Sequence, residues 1–202
     1  VKGEYDRINQ IRSKEQSLAL KFSNLPPQHT GLAQKTLYTL NDNQKRSFMT
    51  YDNMKMYIHG DENSPWIKYG ETDVELFLRF GLADDYYEVT QPVYRGWDEN
   101  NFLIDLDWLT ALKQVDTTNI NKINSKDRIL DSANVRQYIF ISDLGETTGK
   151  KVKIVGQPAL NRLQYFMVGV KNTGQEPING EIWLDELRLS GIKKEKGVAM
   201  RV

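Results

Sequence analysis

The chain has 202 residues, no cysteine, and 27 Lys plus Arg against 27 Asp plus Glu. That length allows one large domain or two small ones at roughly 100–200 residues each, and the missing cysteine excludes a disulfide scaffold, a thiolate metal site and a cysteine nucleophile. The even charge balance argues against nucleic acid as the main partner, since phosphate binding needs a basic excess on some face, and no apolar run approaches the ~20 residues of a membrane helix.

In chain order, residues 1–15 are polar and weakly periodic and read as an arm. Val1–Tyr5 carries no targeting signal and no initial Met, so the expectation is a piece of a longer polypeptide whose signal lies elsewhere. Period-two alternation, the mark of a half-buried strand, then dominates. Leu18, Leu20 and Phe22 alternate with Ala19 and Lys21, and Pro26-Pro27 breaks the chain after them. A strand is predicted over 36–40. Met54, Met56 and Ile58 alternate with Lys55, Tyr57 and His59, and Gly60–Pro65 reads as a turn. The clearest strand has Val74, Leu76, Leu78, Phe80 and Leu82 on one face and Glu75, Phe77, Arg79 and Gly81 on the other.

Residues 86–94 read as the next strand, followed by Phe102, Ile104 and Leu106 alternating with Leu103, Asp105 and Asp107. Trp108, Leu109, Leu112 and Val115 have helical spacing, which predicts a short helix over 107–115 with Asp107 as its N-cap. Asp116–Asn134 is the longest polar stretch and is expected to be a mobile insertion. Further strands are predicted at 135–142, 151–156, 163–171 and 181–189, with Pro158–Gln164 as one turn. About ten strands and one or two short helices predict an all-β fold, two antiparallel sheets packed as a β-sandwich over 16–192, with 193–202 as a linker. The last strand, an Asp between apolar neighbours followed by Leu187-Arg188-Leu189, resembles the closing strand of jelly-roll, galactose-binding-like modules.

Residues able to carry chemistry are few. Asp105 and Asp107 share a strand face about 7 Å apart, a spacing that a glycosidase pair permits, but paired acids on a solvent face and a helix cap are the commoner meanings. Asp84-Asp85 read as turn residues. Asp185 shares a period-two face with Trp183, Leu187 and Leu189; were that face the core, its carboxylate would need backbone N–H groups, an Arg or a calcium ion. Calcium takes six to eight oxygens, and no dense Asp/Asn loop adjoins Asp185, so a structural hydrogen bond is its expected role and it stands only as a weak metal candidate. Ile182 and Leu184 point the other way, which leaves the core face of this strand open. His29 lies in a loop and His59 at a strand end, with no Gly-x-Ser-x-Gly and no positioned serine for a triad. There is no phosphate-cradling glycine pattern. Trp66, Tyr94 and Trp97, near loops, are the candidate ligand-binding rings for a sugar face, packing being their ordinary use. No catalytic residue and no cofactor is expected.

Ile8–Leu18 near the start, Met54-Lys55-Met56-Tyr57-Ile58-His59 in the middle, and Gly180–Leu189 with Gly197-Val198-Ala199-Met200-Arg201 at the end together resemble the SprA family, very large cell-surface proteins of Bacteroidetes. The resemblance implies an outer-membrane translocon of the type IX secretion system, needed for protein export and gliding motility, most of which is a giant transmembrane β-barrel. It implies that this chain is a soluble, non-enzymatic module between barrel segments. Its expected partners are its own barrel, other translocon subunits and secreted cargo proteins, and its expected contact regions are the 116–134 loop and the aromatic rim. The alternative read from the residues is a carbohydrate-binding module with a glycan as ligand; a third reading is a glycoside hydrolase using Asp105.

Overall fold

The computed structural model describes residues 5–6, 11–12, 17–36, 47–63, 67–68, 71–98, 100–114, 128–132, 135–141 and 147–193. Strands β1 (Tyr5–Asp6) and β2 (Ile11–Arg12) pair with each other. They are followed by β3 (Leu18–Leu25), β4 (Thr30–Thr36), β5 (Tyr51–Gly60), the short pair β6 (Ile67–Lys68) and β7 (Glu71–Thr72), β8 (Val74–Gly81), β9 (Tyr86–Pro92) and β10 (Asn101–Asp105). Helix α1 (Leu106–Ala111) runs into a 3-10 turn at Leu112–Gln114. The chain then forms β11 (Arg128–Ser132), β12 (Val135–Ile141), β13 (Thr147–Val155), β14 (Tyr165–Asn172) and β15 (Ile178–Ile192).

Two antiparallel sheets build the body, one ordered β10-β5-β15-β3 and the other β11-β12-β13-β9-β8-β14-β4. The all-β sandwich expected from the alternation is therefore the fold. The pairing is nested: β3 pairs with β15, β4 with β14, β5 with β10 and β8 with β9. The third strand meets the last and the fourth meets the next-to-last, so the chain from β3 to β15 is wound as a nested hairpin around its own core. Strands β11 to β13 extend the larger sheet on the β9 side.

The core lies where the alternation places it. Met54 and Ile58 of β5, Val74, Leu76 and Phe80 of β8, and Ile182 of β15 are fully buried. They join Tyr87, Phe102, Leu106 and Leu109 in one cluster fed by both sheets. Truncating such a residue to alanine costs about 2–5 kcal/mol. The β3–β4 connection is a turn in which the His29 N–H donates to the Pro26 carbonyl at 3.1 Å. Gln28 there has φ +61°, so Pro27 and Gln28 hold the central positions of a type II turn.

Several expectations change in detail. Of the strand predicted over 36–40 only Thr36 falls in a described strand, the last residue of β4 (Thr30–Thr36), and residues 37–40 lie outside the described residues; β4 itself was not predicted. It is an edge strand whose Leu32 faces solvent, so it carries little apolar alternation. Within the predicted loop 116–134, Arg128–Ser132 is a strand paired with β12; residues 116–127 and 133–134 lie outside the described residues. The helix starts one residue early because its N-cap is Asp105, which accepts a hydrogen bond from the Trp108 N–H at 2.9 Å. Asp107, the predicted cap, sits in the first turn and forms an ion pair with Lys193. The segment after β13 is a hydrogen-bonded turn, Arg162 N–H to Ala159 O at 3.1 Å.

Candidate functional site

The two outer faces of the sandwich differ. On the larger sheet the outward charges pair across strands. Arg79 binds Glu88 at 2.8 and 2.5 Å, and Lys151 binds Glu75 at 2.6 Å. The Arg79 guanidinium also lies 4.3 Å from the Tyr86 ring centroid and 5.7 Å from that of Phe77. The outer face of the smaller sheet instead leaves Tyr57, Leu103 and Trp183 exposed, at 48%, 58% and 42%.

One end of that face holds a stack of three rings. His59 on β5 and Trp183 on β15 are directly opposite in the ladder, and their rings stack at 4.9 Å with planes 19° apart. Trp97, 40% exposed, lies against the other neighbour of the row, 4.8 Å from His59 and tilted by 52°. Cross-strand aromatic pairs of this kind stabilise by roughly 0.2–1 kcal/mol, and both indoles keep part of their surface open to solvent. The Trp183 Nε1–H donates to Glu181 Oε1 at 2.6 Å, and Lys21 reaches the other Glu181 oxygen at 3.2 Å. The indole hydrogen bond first, and the lysine second, hold the Glu181 carboxyl below the usual range.

The loop bearing Trp97 is locked from beneath. Asn100 is buried; its Oδ1 accepts from the Tyr94 N–H at 2.7 Å, and its Nδ2 donates to the Tyr94 and Gly96 carbonyls at 2.8 and 2.7 Å. Gly60, at the end of β5, exchanges both backbone hydrogen bonds with Gly96 at 3.1 and 2.9 Å. A Cβ on Gly60 would stand 2.1 Å from the Tyr94 carbonyl oxygen, so only glycine allows this approach. Beside the stack is a depression of about 380 Å³ lined by His59, Asp61, Glu62, Asn63, Glu181 and Trp183.

Of the residues singled out in the sequence, Trp97 is part of this stack. Tyr94 is half-buried, and its backbone anchors the loop. Trp66 lies outside the described residues. His29 is exposed and bonds the Pro27 carbonyl. Asp85 lies between β8 and β9, and its carboxylate ties that connection to the end of β13 by accepting from the Gln157 N–H at 2.7 Å. Asp105 is engaged as the helix cap.

Asp185 changes most. A one-residue bulge interrupts the β15–β5 ladder between Asp185 and Arg188, with Glu186 at φ +48°. Before the bulge Ile182 and Leu184 face inward; after it Leu189 does. Trp183, Asp185, Leu187 and Leu189 therefore do not share a core face. Trp183 and Leu187 face solvent, and the half-exposed Asp185 needs no buried partner. Among the described residues no three His, Asp or Glu side chains converge as metal ligands.

Residues 2–202 match a family model, SprA_N, described as motility related/secretion protein. The chain belongs to this family. No curated protein matches it. Among the described residues of this SprA_N chain, no helix is long and apolar enough to cross a membrane. The sandwich also opens between β3/β15 and β4/β14 into an apolar groove of about 560 Å³, lined by residues such as Met56, Leu78, Phe166 and Leu184. Sequence reasoning did not pair His59 with Trp183. His59 sits at an outward position of a readable alternation, whereas the core face of the Trp183 strand was open in the sequence, and their meeting depends on the β5–β15 register, which alternation alone does not set.

Proposed function

We propose that this chain is a non-enzymatic module of a large outer-membrane translocon of the type IX secretion kind, and that it works by docking to its own barrel, to partner subunits or to secreted cargo in protein export and gliding motility. The family match supports the export and motility setting. The observation that carries the docking reading is the outer side of the smaller sheet, where Tyr57, Trp97, Leu103 and Trp183 stay exposed beside the Lys21–Glu181 and Arg188–Glu186 ion pairs. Contiguous apolar exposure beyond scattered single residues marks interaction surfaces. The nested pairing of β3 with β15, β4 with β14 and β8 with β9, across one four-stranded and one seven-stranded sheet, supports a jelly-roll winding. Its localisation in this reading is the bacterial outer membrane or cell surface.

The test is a pair of chromosomal substitutions, Tyr57→Ser with Leu103→Ser, made in the full-length protein of a secreting bacterium. Expected is normal accumulation of the protein with reduced cargo export and reduced co-purification of translocon subunits. Unchanged export and unchanged subunit recovery overturn the docking reading.

A second reading, carbohydrate binding, is favoured by the exposed Trp97 and Trp183 rings, which resemble a stacking platform for a pyranose. Titration with a glycan panel that perturbs tryptophan fluorescence supports it; no response to any sugar removes it.

A further inference from the structure

We propose that the ring stack His59–Trp97–Trp183, together with Asp61, Glu62 and Glu181, is a docking site for an arginine side chain carried on an exposed segment of a partner protein. This deepens the docking reading and rests on it. Three observations combine. The rings are held in place before any partner arrives: Trp183 by Glu181, Trp97 by the Asn100-braced loop, and His59 between the two indoles. Their faces remain partly open, at 40% and 42% exposure for the indoles.

The adjoining depression brings three carboxylates to the rings. Lys21 pairs with Glu181, but among the described residues no cation pairs with Asp61 or Glu62. Asp61 instead accepts from the Asn63 N–H at 3.0 Å, closing the turn that carries both acids. The surface is thus aromatic and carries two acids, Asp61 and Glu62, that no cation among the described residues pairs with, beside a Glu181 already held by Lys21 and Trp183.

Such a surface selects a cation that also has a flat apolar face. A guanidinium stacks on an indole and presents paired donors to a carboxylate, whereas an ammonium offers only a point charge. A neutral sugar could stack on the rings and donate hydroxyls to the acids, but unlike a guanidinium it carries no charge to complement theirs and so would bind with little dependence on salt. Tyr57, two residues before His59 on the same outward side of β5, would take an apolar residue flanking the arginine.

The test uses the full chain and three probes at low salt: an acetylated, amidated peptide Leu-Ser-Arg-Ser-Leu-Arg-Ser; the same peptide with both arginines replaced by citrulline, their neutral isostere; and maltohexaose. Binding is followed by tryptophan fluorescence and by isothermal calorimetry. Expected is saturable binding of the arginine peptide, weaker by about fivefold or more for citrulline, and falling as salt rises because the site is exposed. Glu62→Gln and Asp61→Asn should each weaken the arginine peptide with circular dichroism unchanged, so no folding defect obscures the result. Equal binding of the citrulline peptide, or binding indifferent to Glu62→Gln, overturns the proposal. Response to maltohexaose alone also overturns it, in favour of a sugar platform. If the arginine peptide binds but Glu62→Gln leaves translocon-subunit recovery untouched, the site stands and the docking reading fails. If recovery depends on Tyr57 and Leu103 but no arginine peptide binds, the docking reading stands and this site fails.

Discussion

Asn100 is the residue on which the Trp97 loop depends, and its replacement gives a sharp test. The side chain is 1% exposed and satisfies three backbone groups, the Tyr94 N–H and the Tyr94 and Gly96 carbonyls, at 2.7–2.8 Å. Asn100→Ala leaves all three without that partner. A lost buried hydrogen bond costs about 0.5–1.5 kcal/mol when water can replace the partner and about 1–3 kcal/mol when it cannot. The groups are part-buried, so the expected destabilisation is roughly 2–4 kcal/mol. At about 2–4 °C per kcal/mol for a chain of this size, the melting temperature should fall by roughly 5–15 °C.

Asn100→Asp adds a pH signature. One carboxyl oxygen can still accept from the Tyr94 N–H, but the other faces two carbonyl oxygens that previously received donors. The ionised form is disfavoured in the folded state, so the introduced carboxyl's folded pKa rises above its unfolded value of about 3.9. The protonated form, which restores one donor, is the one that folds well. Stability from it is fully present below the unfolded pKa and is lost as pH rises through the folded one. The variant should therefore gain stability relative to the unsubstituted chain as pH falls from 7 toward 4. Thermal and urea unfolding followed by circular dichroism at pH 4, 5.5 and 7 make the comparison. Asn100→Ala within about 0.5 kcal/mol of the unsubstituted chain, the range of an ordinary surface substitution, would refute the bracing role. So would an Asn100→Asp deficit that does not shrink on acidification.

Tyr87 is fully buried and donates to the Pro158 carbonyl at 3.2 Å. Burial raises its pKa to about 12, partly offset by the Thr110 hydroxyl. Because the folded pKa lies above the unfolded value, stability is retained below pH 10 and lost between roughly pH 10 and 12; Tyr87→Phe should flatten that alkaline limb in urea titrations. Gly60→Ala forces a Cβ to within 2.1 Å of a backbone oxygen, so it should separate β5 from the Trp97 loop and red-shift the Trp97 emission, read by fluorescence with Trp66→Phe, Trp108→Phe and Trp183→Phe in the background. At the β15 bulge, Glu186→Val should cost about 1–3 kcal/mol because a β-branched residue resists positive φ, whereas Glu186→Gly should cost far less; equal effects in chemical denaturation would argue against the bulge geometry. The nested pairing joins strands at opposite ends of the chain, so refolding from urea should take milliseconds to seconds or longer, as for other non-local β folds; microsecond refolding would contradict it.

Much of the fold was legible because alternation is a local property of the pleat. On β5, β8 and β10 each outward or inward position follows from the period of two, and Met54, Leu76, Phe102 and their neighbours are buried accordingly. Where an element is regular only by virtue of its neighbours, the pattern is silent. Edge strand β4 needs β14 to define it, and β11 needs β12. The helix cap shifted from Asp107 to Asp105 because both acids satisfy the local rule, and backbone geometry chose between them.

Composition and periodicity by themselves determined an all-β sandwich with a shared apolar interior and few groups able to do chemistry. The tertiary structure alone decided which strands meet, where β15 slips by one residue, and hence that His59, Trp97 and Trp183 stack beside Asp61, Glu62 and Glu181. The reason is physical. A side chain's face depends on its two neighbours in the chain, but its contacts depend on register between strands far apart in sequence. A single bulge, such as that at Glu186, turns every later side chain to the opposite face.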